Sequence, residues 1–272
     1  MIRKTKTGPL IMGASGQIGQ MLYRLWDSGQ LAFDGDPVWQ VRRPLHGQKQ
    51  TLIWDILAAP VPDILPSAVI CLAGGRHVNT NVELAEAAAA VAQGAPLLYA
   101  SSQAVYGPQP GVMSEASLCR PAGNYGIQKR AAEAALTAYP NATALRIGNA
   151  IGADSLLRSA QKGTVALDQF DDEQGPRRMM IGPLALGRAL CDLIAVGPIV
   201  EPVLNFAQPG LVAMADLLDA AGAIWHWQPA PESAIPSLEM DLAALQTYIP
   251  LSPADPETLM AEARAAGWKE FA

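Results

Sequence analysis

Short, continuous apolar runs alternate with longer amphipathic stretches over the first 150 residues, and this alternation limits the fold more than any other feature. Leu10–Gly13, Val38–Val41, Thr51–Trp54, Ala68–Ala73, Pro96–Ala100 and Thr143–Ile147 read as strands. The run Ala68–Ala73 has no polar alternation, as expected of a strand covered on both faces. Between these runs, Gln17–Asp27, Asn81–Gln93 and Asn124–Ala138 carry apolar residues at helical spacing. A β-α-β order of this kind predicts a parallel sheet with helices on both faces. Such sheets bind ligands beyond the carboxyl ends of their strands, and every motif described below follows a predicted strand.

After residue 150 the pattern loosens. Gly107–Pro121 reads as a long loop and Asp154–Gln174 as a polar stretch. Leu184–Val196, Leu211–Ile224 and a segment near Pro256–Ala266 read as helices, and Val203–Phe206 as a short strand. Two domains are expected, 1–150 and 151–272, with the strand at 203–206 able to return to the first sheet. Half of the 272 residues are apolar and 16% are charged, which supplies a large core and excludes a disordered chain. The 19 basic and 25 acidic side chains give a net charge of −6. That charge argues against nucleic acid as a partner. No apolar run is long enough to span a membrane, and Pro9–Met12 is too short for a secretory signal. Cys71, Cys119 and Cys191 are scattered, with no metal-binding spacing and no disulfide frame, which predicts a reducing, cytoplasmic setting and no metal site.

Three constellations carry chemistry. Gly13-Ala14-Ser15-Gly16-Gln17-Ile18-Gly19 follows a strand and opens a helix. Glycine there permits positive φ and close approach of the backbone to a pyrophosphate. The helix N-terminus then offers unpaired N–H groups to the anion. This reads as a dinucleotide site; a tight turn without a ligand is the alternative. The second strand ends in Val41-Arg42-Arg43, with no carboxylate. Arg42 suits a 2′-phosphate and predicts NADP, with NAD as the alternative. Tyr125-Gly126-Ile127-Gln128-Lys129 begins a helix, and the i, i+4 spacing turns the phenol and the ammonium to one side. A cation beside a phenol favours the phenolate. Ser102 follows the Pro96–Ala100 strand, at the same carboxyl edge, and can hydrogen-bond a substrate oxygen.

These segments resemble the extended short-chain dehydrogenase/reductases, the NAD-dependent epimerase/dehydratase family. The likeness rests on residues 13–19, Asp55-Ile56, 71–75, 81–88, 101–107, 125–129 and 146–152, in family order. It implies a Rossmann-type doubly wound α/β fold with a small C-terminal substrate-binding lobe. It also implies roles. Tyr125 is then the general acid/base, Ser102 orients the reacting C–O group, and Asn81 supports a proton relay. Lys129 holds the nicotinamide ribose and lowers the tyrosine pKa. Asp55 and Ile56 meet the adenine, Leu72, Ala73 and Gly74 pass under the cofactor, and Ile147 and Gly148 lie near the carboxamide. The implied activity is hydride transfer to or from a sugar-like alcohol or ketone. A sugar epimerase with tightly bound NAD and a non-catalytic NADP-binding sensor are the alternatives. A homodimer is implied by the resemblance, through the helices of Asn81 and Tyr125. The chain departs from the family's 4,6-dehydratases at Gln103 and Ala104, where those enzymes carry an Asp-Glu pair. Residues 177–183 keep an arginine but lack the His and Asp of nucleotide-sugar members, which argues against a nucleotide diphosphate in the substrate. Arg76, His77, Trp225, His226 and Trp227 could face a substrate but read more simply as surface or core; Met179, Met180 and Cys71 read as core.

Overall fold

Residues 5–44, 47–75 and 77–269 are described by the structure, a computed structural model. Seven strands form the main sheet: β1 (Leu10–Met12), β2 (Val38–Val41), β3 (Thr51–Ile53), β4 (Val69–Cys71), β5 (Leu97–Ser102), β6 (Ala142–Ile147) and β7 (Val203–Phe206). Their order is β7-β6-β5-β4-β1-β2-β3, and every neighbouring pair is parallel. β1 lies between β4 and β2, so the chain moves outward first one way and then the other. This reversal at β1 opens the crevice in which a doubly wound sheet binds its ligand.

The central strands are mostly apolar because both faces are covered, with Gln40, Ser101, Thr143, Arg146 and Asn205 as buried polar exceptions. On one side lie α1 (Gln17–Asp27) and α4 (Pro183–Val196), on the other α2 (Val78–Ala92) and α3 (Asn124–Leu136). Alternation along β1 divides its side chains between the two cores. Ile11 packs with Met21, Leu22, Leu25, Leu186 and Leu190, whereas Leu10 and Met12 pack with Ala85, Ala88, Tyr99 and Leu136. Gly187 lets α4 approach α1: a Cβ there would lie 2.8–3.0 Å from the side chains of Leu31 and Leu22.

The strand Val203–Phe206 lies in the main sheet, at its edge beside β6, with Val203 opposite Ala144 and Phe206 opposite Ile147. The rest of the C-terminal part builds a smaller sheet from Asn149–Ala150, Arg177–Ile181, Ser237–Met240 and Val112–Met113, with Leu211–Ala213 antiparallel to Arg177–Met179. Its own core joins Ile151, Leu157, Met180, Leu217 and helix α5 (Pro256–Ala265). Several expectations shift here. The loop 107–121 contains the strand Val112–Met113. The polar stretch 154–174 contains the helix Ser155–Ala160 and the strand Val165–Gln169. The helix expected from 211 begins at Met214. Met179 and Met180 are buried and Trp225 is half-buried against the core of the C-terminal part, whereas Trp227 is exposed. The two tryptophans stack edge to face at 4.8 Å on a two-stranded ribbon, Val165–Gln169 with Trp225–Pro229, whose outer strand is mostly exposed. No helix among the described residues is long and apolar enough to cross a membrane.

Candidate active site

The glycine turn sits where β1 meets α1. Gly13 adopts φ +83°, and a Cβ on it would lie 2.6 Å from the Ala73 amide nitrogen. The turn therefore packs directly on the end of β4, at a distance that only glycine allows. A Cβ on Gly19 would lie 2.5 Å from the Gly13 carbonyl oxygen, so the helix starts tight against the strand. Gly16 precedes α1 and no side chain caps the helix. Its first amides are left for a ligand. Gln40 is a participant that the sequence does not reveal. It is 1% exposed on β2, accepts from the Gly13 amide (2.8 Å) and donates to the Trp54 carbonyl (2.6 Å). One buried side chain thus joins the glycine turn to the ends of β2 and β3.

Two cavities flank this turn. One, of about 530 Å³, is lined by Gly13, Ser15, Gly16, Gln40, Arg42, Asp55, Ile56, Leu72, Ala73, Gly74 and His77, among others. The other, of about 510 Å³, takes in Gly13, Gly16, Gln17, Ile18, Gly19, Leu72, Ser102, Tyr125, Lys129, Ile147 and Gly148. They share Gly13, Gly16 and Leu72, so together they form one cleft across the strand ends. Of the expected site residues, only Asn81 lines neither half. A further hollow of about 410 Å³ opens among Ser15, Arg42, Arg43 and Asp55.

Ser102 ends β5, and its hydroxyl accepts from the Ala104 amide at 3.2 Å. Tyr125 stands in the first turn of α3. Gly126 brings that turn against the strand end, because a Cβ there would lie 2.4 Å from the Ala104 carbonyl oxygen. Tyr125 is 56% exposed as a residue, yet its hydroxyl lies deep enough for burial to raise its pKa, opposed by a hydrogen bond to Ser102. Lys129, one turn on, is 5% exposed. Its Nζ donates to the Ala100 carbonyl (2.6 Å) and lies 4.9 Å from the centre of the Tyr99 ring and 5.9 Å from that of Tyr125. Burial lowers its pKa to about 8, against the opposing charges of Cys71 and Glu133. The resemblance implies a phenol pKa lowered by Lys129. Here burial of the hydroxyl dominates, and the ammonium is turned to Ala100 and Tyr99.

Asn81 is buried at the start of α2. Its amide donates to Gly75 O (3.1 Å), His77 O (2.9 Å) and Gln128 Oε1 (3.4 Å), and its Oδ1 accepts from the Gly75 amide (3.2 Å). It folds the loop after β4 back towards α3. Gly74 lies between Asn81 and Lys129, and a Cβ on it would be 3.7 Å from Oδ1 of one and Nζ of the other. Arg76 lies outside the described residues. Cys71 is buried beneath Lys129, its thiol pushed up to about 11, so it is not a nucleophile at neutral pH. Behind the site, Glu133 holds Arg146 through two hydrogen bonds (2.9 and 3.1 Å) and accepts from Ser101 (2.5 Å). This pair braces the strand next to Ser102. Among the described residues no group of three or more His, Cys, Asp or Glu side chains could hold a metal ion.

A family model, the NAD dependent epimerase/dehydratase family, matches residues 9–197. The chain belongs to that family. The match takes in the glycine turn, both halves of the cleft and α1 to α4. No curated protein matches the chain. Among solved structures it is similar to MoeE5 in complex with UDP-glucuronic acid and NAD, at 22% identity and TM-score 0.72, over 95% of this chain and 98% of that one. It is also similar to DesIV, a dTDP-glucose 4,6-dehydratase from Streptomyces venezuelae with NAD and TYD bound, at 17% identity and TM-score 0.71, over 95% and 96%. RMD from Pseudomonas aeruginosa, complexed with NADPH, matches at 18% identity and TM-score 0.68, over 96% and 99%. At these identities the likeness shows the fold, a Rossmann-type α/β sheet.

Proposed function

We propose that this member of the family is a nicotinamide-dinucleotide oxidoreductase that interconverts an alcohol and a ketone on a sugar-like small molecule. One observation carries the reading: Ser102, Tyr125, Lys129 and the uncapped start of α1 all open onto the same cavity. The cleft suits the cofactor in outline. The glycine turn lies midway, the Arg42 and Asp55 end would take the adenosine, and the Tyr125 end the nicotinamide. MoeE5 and DesIV are described with NAD, and RMD with NADPH.

When bound, the nicotinamide supplies or accepts hydride. The chain's own residues do the rest. The Ser102 hydroxyl holds the substrate oxygen. Tyr125, whose raised pKa keeps it protonated at neutral pH, donates its phenolic proton to that oxygen in the reducing direction. Lys129 places a buried ammonium one helical turn away, where it would hold the nicotinamide ribose. Gln103 and Ala104 follow Ser102 and supply no acid for an elimination. Tyr125→Phe removes the donor alone. Carbonyl-dependent oxidation of NADPH is expected to fall by about 10²–10⁴-fold while NADPH affinity holds. Unchanged turnover would refute the assignment.

For the cofactor we favour NADP, because Arg42 and Arg43 share a hollow with Ser15 at the end of β2. Arg42→Ala should weaken NADPH by tenfold or more, and NADH far less, for a charge-assisted contact of about 1.5–3 kcal/mol. Equal loss for both would remove Arg42 from the 2′-phosphate site. The NAD-bound relatives favour a second reading, an epimerase that retains NAD. That protein would purify with cofactor bound and show no net redox turnover. A homodimer through α2 and α3 belongs to the same proposal, as does a cytoplasmic setting.

A further inference from the structure

The glycine turn Gly13–Gly19 carries no basic side chain, and α1 begins without a cap. An anion there would meet backbone amides and the neutral side chains of Ser15 and Gln17, with no cation from the turn itself. Facing them across the cleft is Arg158, on the helix Ser155–Ala160 of the second lobe. The helix is fixed by Asp154, whose carboxylate accepts from the Leu157 amide (2.9 Å) and the Gly152 amide (3.1 Å). Both carboxylate oxygens are thereby committed to backbone. The Asp154 carbonyl takes Nε of Arg158 at 3.1 Å, which aims the guanidinium outward from the helix. Its Nη1 then reaches Gln17 Oε1 at 3.4 Å, at the first position of α1. Arg158, Gln17, Gly13 and Gly16 line the same cavity. Among the described residues no carboxylate forms an ion pair with Arg158.

We infer that Arg158 is a clamp for the pyrophosphate of the dinucleotide, closing over it from the second lobe while the amides of α1 hold it from the first. The inference rests on the dinucleotide reading above. A guanidinium offers parallel N–H donors that match phosphate oxygens. Arg158 already lies within reach of the turn, so little rearrangement precedes the contact. Such a clamp ties the cofactor to the relative position of the two lobes. It also differs from Arg42 in what it recognises. Arg42 would read the 2′-phosphate, whereas Arg158 would read the diphosphate common to both cofactors.

Titration of NADPH, NADH and ADP-ribose into the intact protein, followed by tryptophan fluorescence, tests this. Arg158→Gln keeps a polar N–H donor but loses the charge and the guanidinium fork. It is expected to weaken all three ligands by a similar factor, about tenfold, and more at low salt than at high salt. Arg158→Lys should recover part of the loss. The ligand-free melting temperature of Arg158→Gln should match that of the unaltered protein, because Arg158 is exposed. Unchanged affinities in Arg158→Gln would overturn the clamp and leave the dinucleotide reading standing. Failure of the unaltered protein to bind any of the three would overturn that reading, and the clamp with it.

Discussion

Lys129 donates to the Ala100 carbonyl and lies over the Tyr99 ring, in a setting so dry that its pKa falls to about 8. In the unfolded chain the same ammonium titrates near 10.5. Below pH 8 both states are charged, and folding bears the full cost of burying the cation. Between pH 8 and 10.5 the folded protein has lost the proton and the unfolded chain keeps it, so stability rises with pH. Lys129→Met removes this dependence. The variant should be the more stable at pH 7, and its advantage should shrink by about 2–3 kcal/mol towards pH 10.5. Urea midpoints at several pH values would show it; a constant difference would mean that Lys129 is not strained by burial. The Tyr-x-x-x-Lys spacing is legible in the chain because it depends on one helix alone. Gln40 is not, because its partners, Gly13 and Trp54, come from two other parts of the chain. The direction of the Tyr125 shift was hidden for the same reason: it follows from how deeply the hydroxyl sits, which no spacing records.

Helix α4 begins at Pro183 after Gly182, with no side chain of its own to cap it. Glu262 of α5 takes that place, accepting from the Leu184 and Ala185 amides, each at 3.0 Å. Two elements distant in sequence are joined by one carboxylate at a helix N-terminus, where negative charge is favoured. Glu262→Ala should cost about 1 kcal/mol of stability, with Glu262→Gln in between, as read from urea unfolding. No change in Glu262→Ala would mean that solvent caps α4 equally well. The strands of the main sheet were readable because both faces are buried, which leaves uninterrupted runs such as Ala68–Ala73. The smaller sheet was not. Asn149–Ala150 and Val112–Met113 are two residues each and carry no period. Leu211–Ala213 runs straight into a helix whose Leu217 and Leu218 extend the apparent helical pattern backwards.

Across the whole molecule the main sheet and the smaller sheet are joined by buried polar groups. Asn205 of β7 is fully buried. It accepts from the Tyr106 hydroxyl (2.6 Å), donates to the Met113 and Asp241 carbonyls (each 2.9 Å), and its amide donates to Glu115 (2.8 Å). Main sheet, loop 107–121 and C-terminal segment thus meet on one side chain. Separating these segments would leave several buried polar groups unpaired, at about 1–3 kcal/mol each. Calorimetry should therefore give a single unfolding transition for the whole chain. Two resolved peaks would show lobes that melt independently. The boundary expected near 150 follows the change in sequence pattern, but β7 and α4, both beyond it, complete the first sheet and its core.

The order in which these parts are made carries its own consequence. Arg24 of α1 donates to the Ala266 carbonyl at 3.2 Å, nearly the full length of the chain away, and the inner side of α1 packs on α4. On the ribosome the early strands and α1 emerge long before either partner has been translated. One flank of the nascent sheet, with Leu22 and Leu25 on it, therefore waits uncovered through much of synthesis, while α2 and α3 close the opposite flank as they arrive. Contacts this distant in sequence close slowly. The exposed interval makes the growing chain a natural client for chaperones that recognise apolar surface, and premature termination before α4 leaves that surface permanently bare.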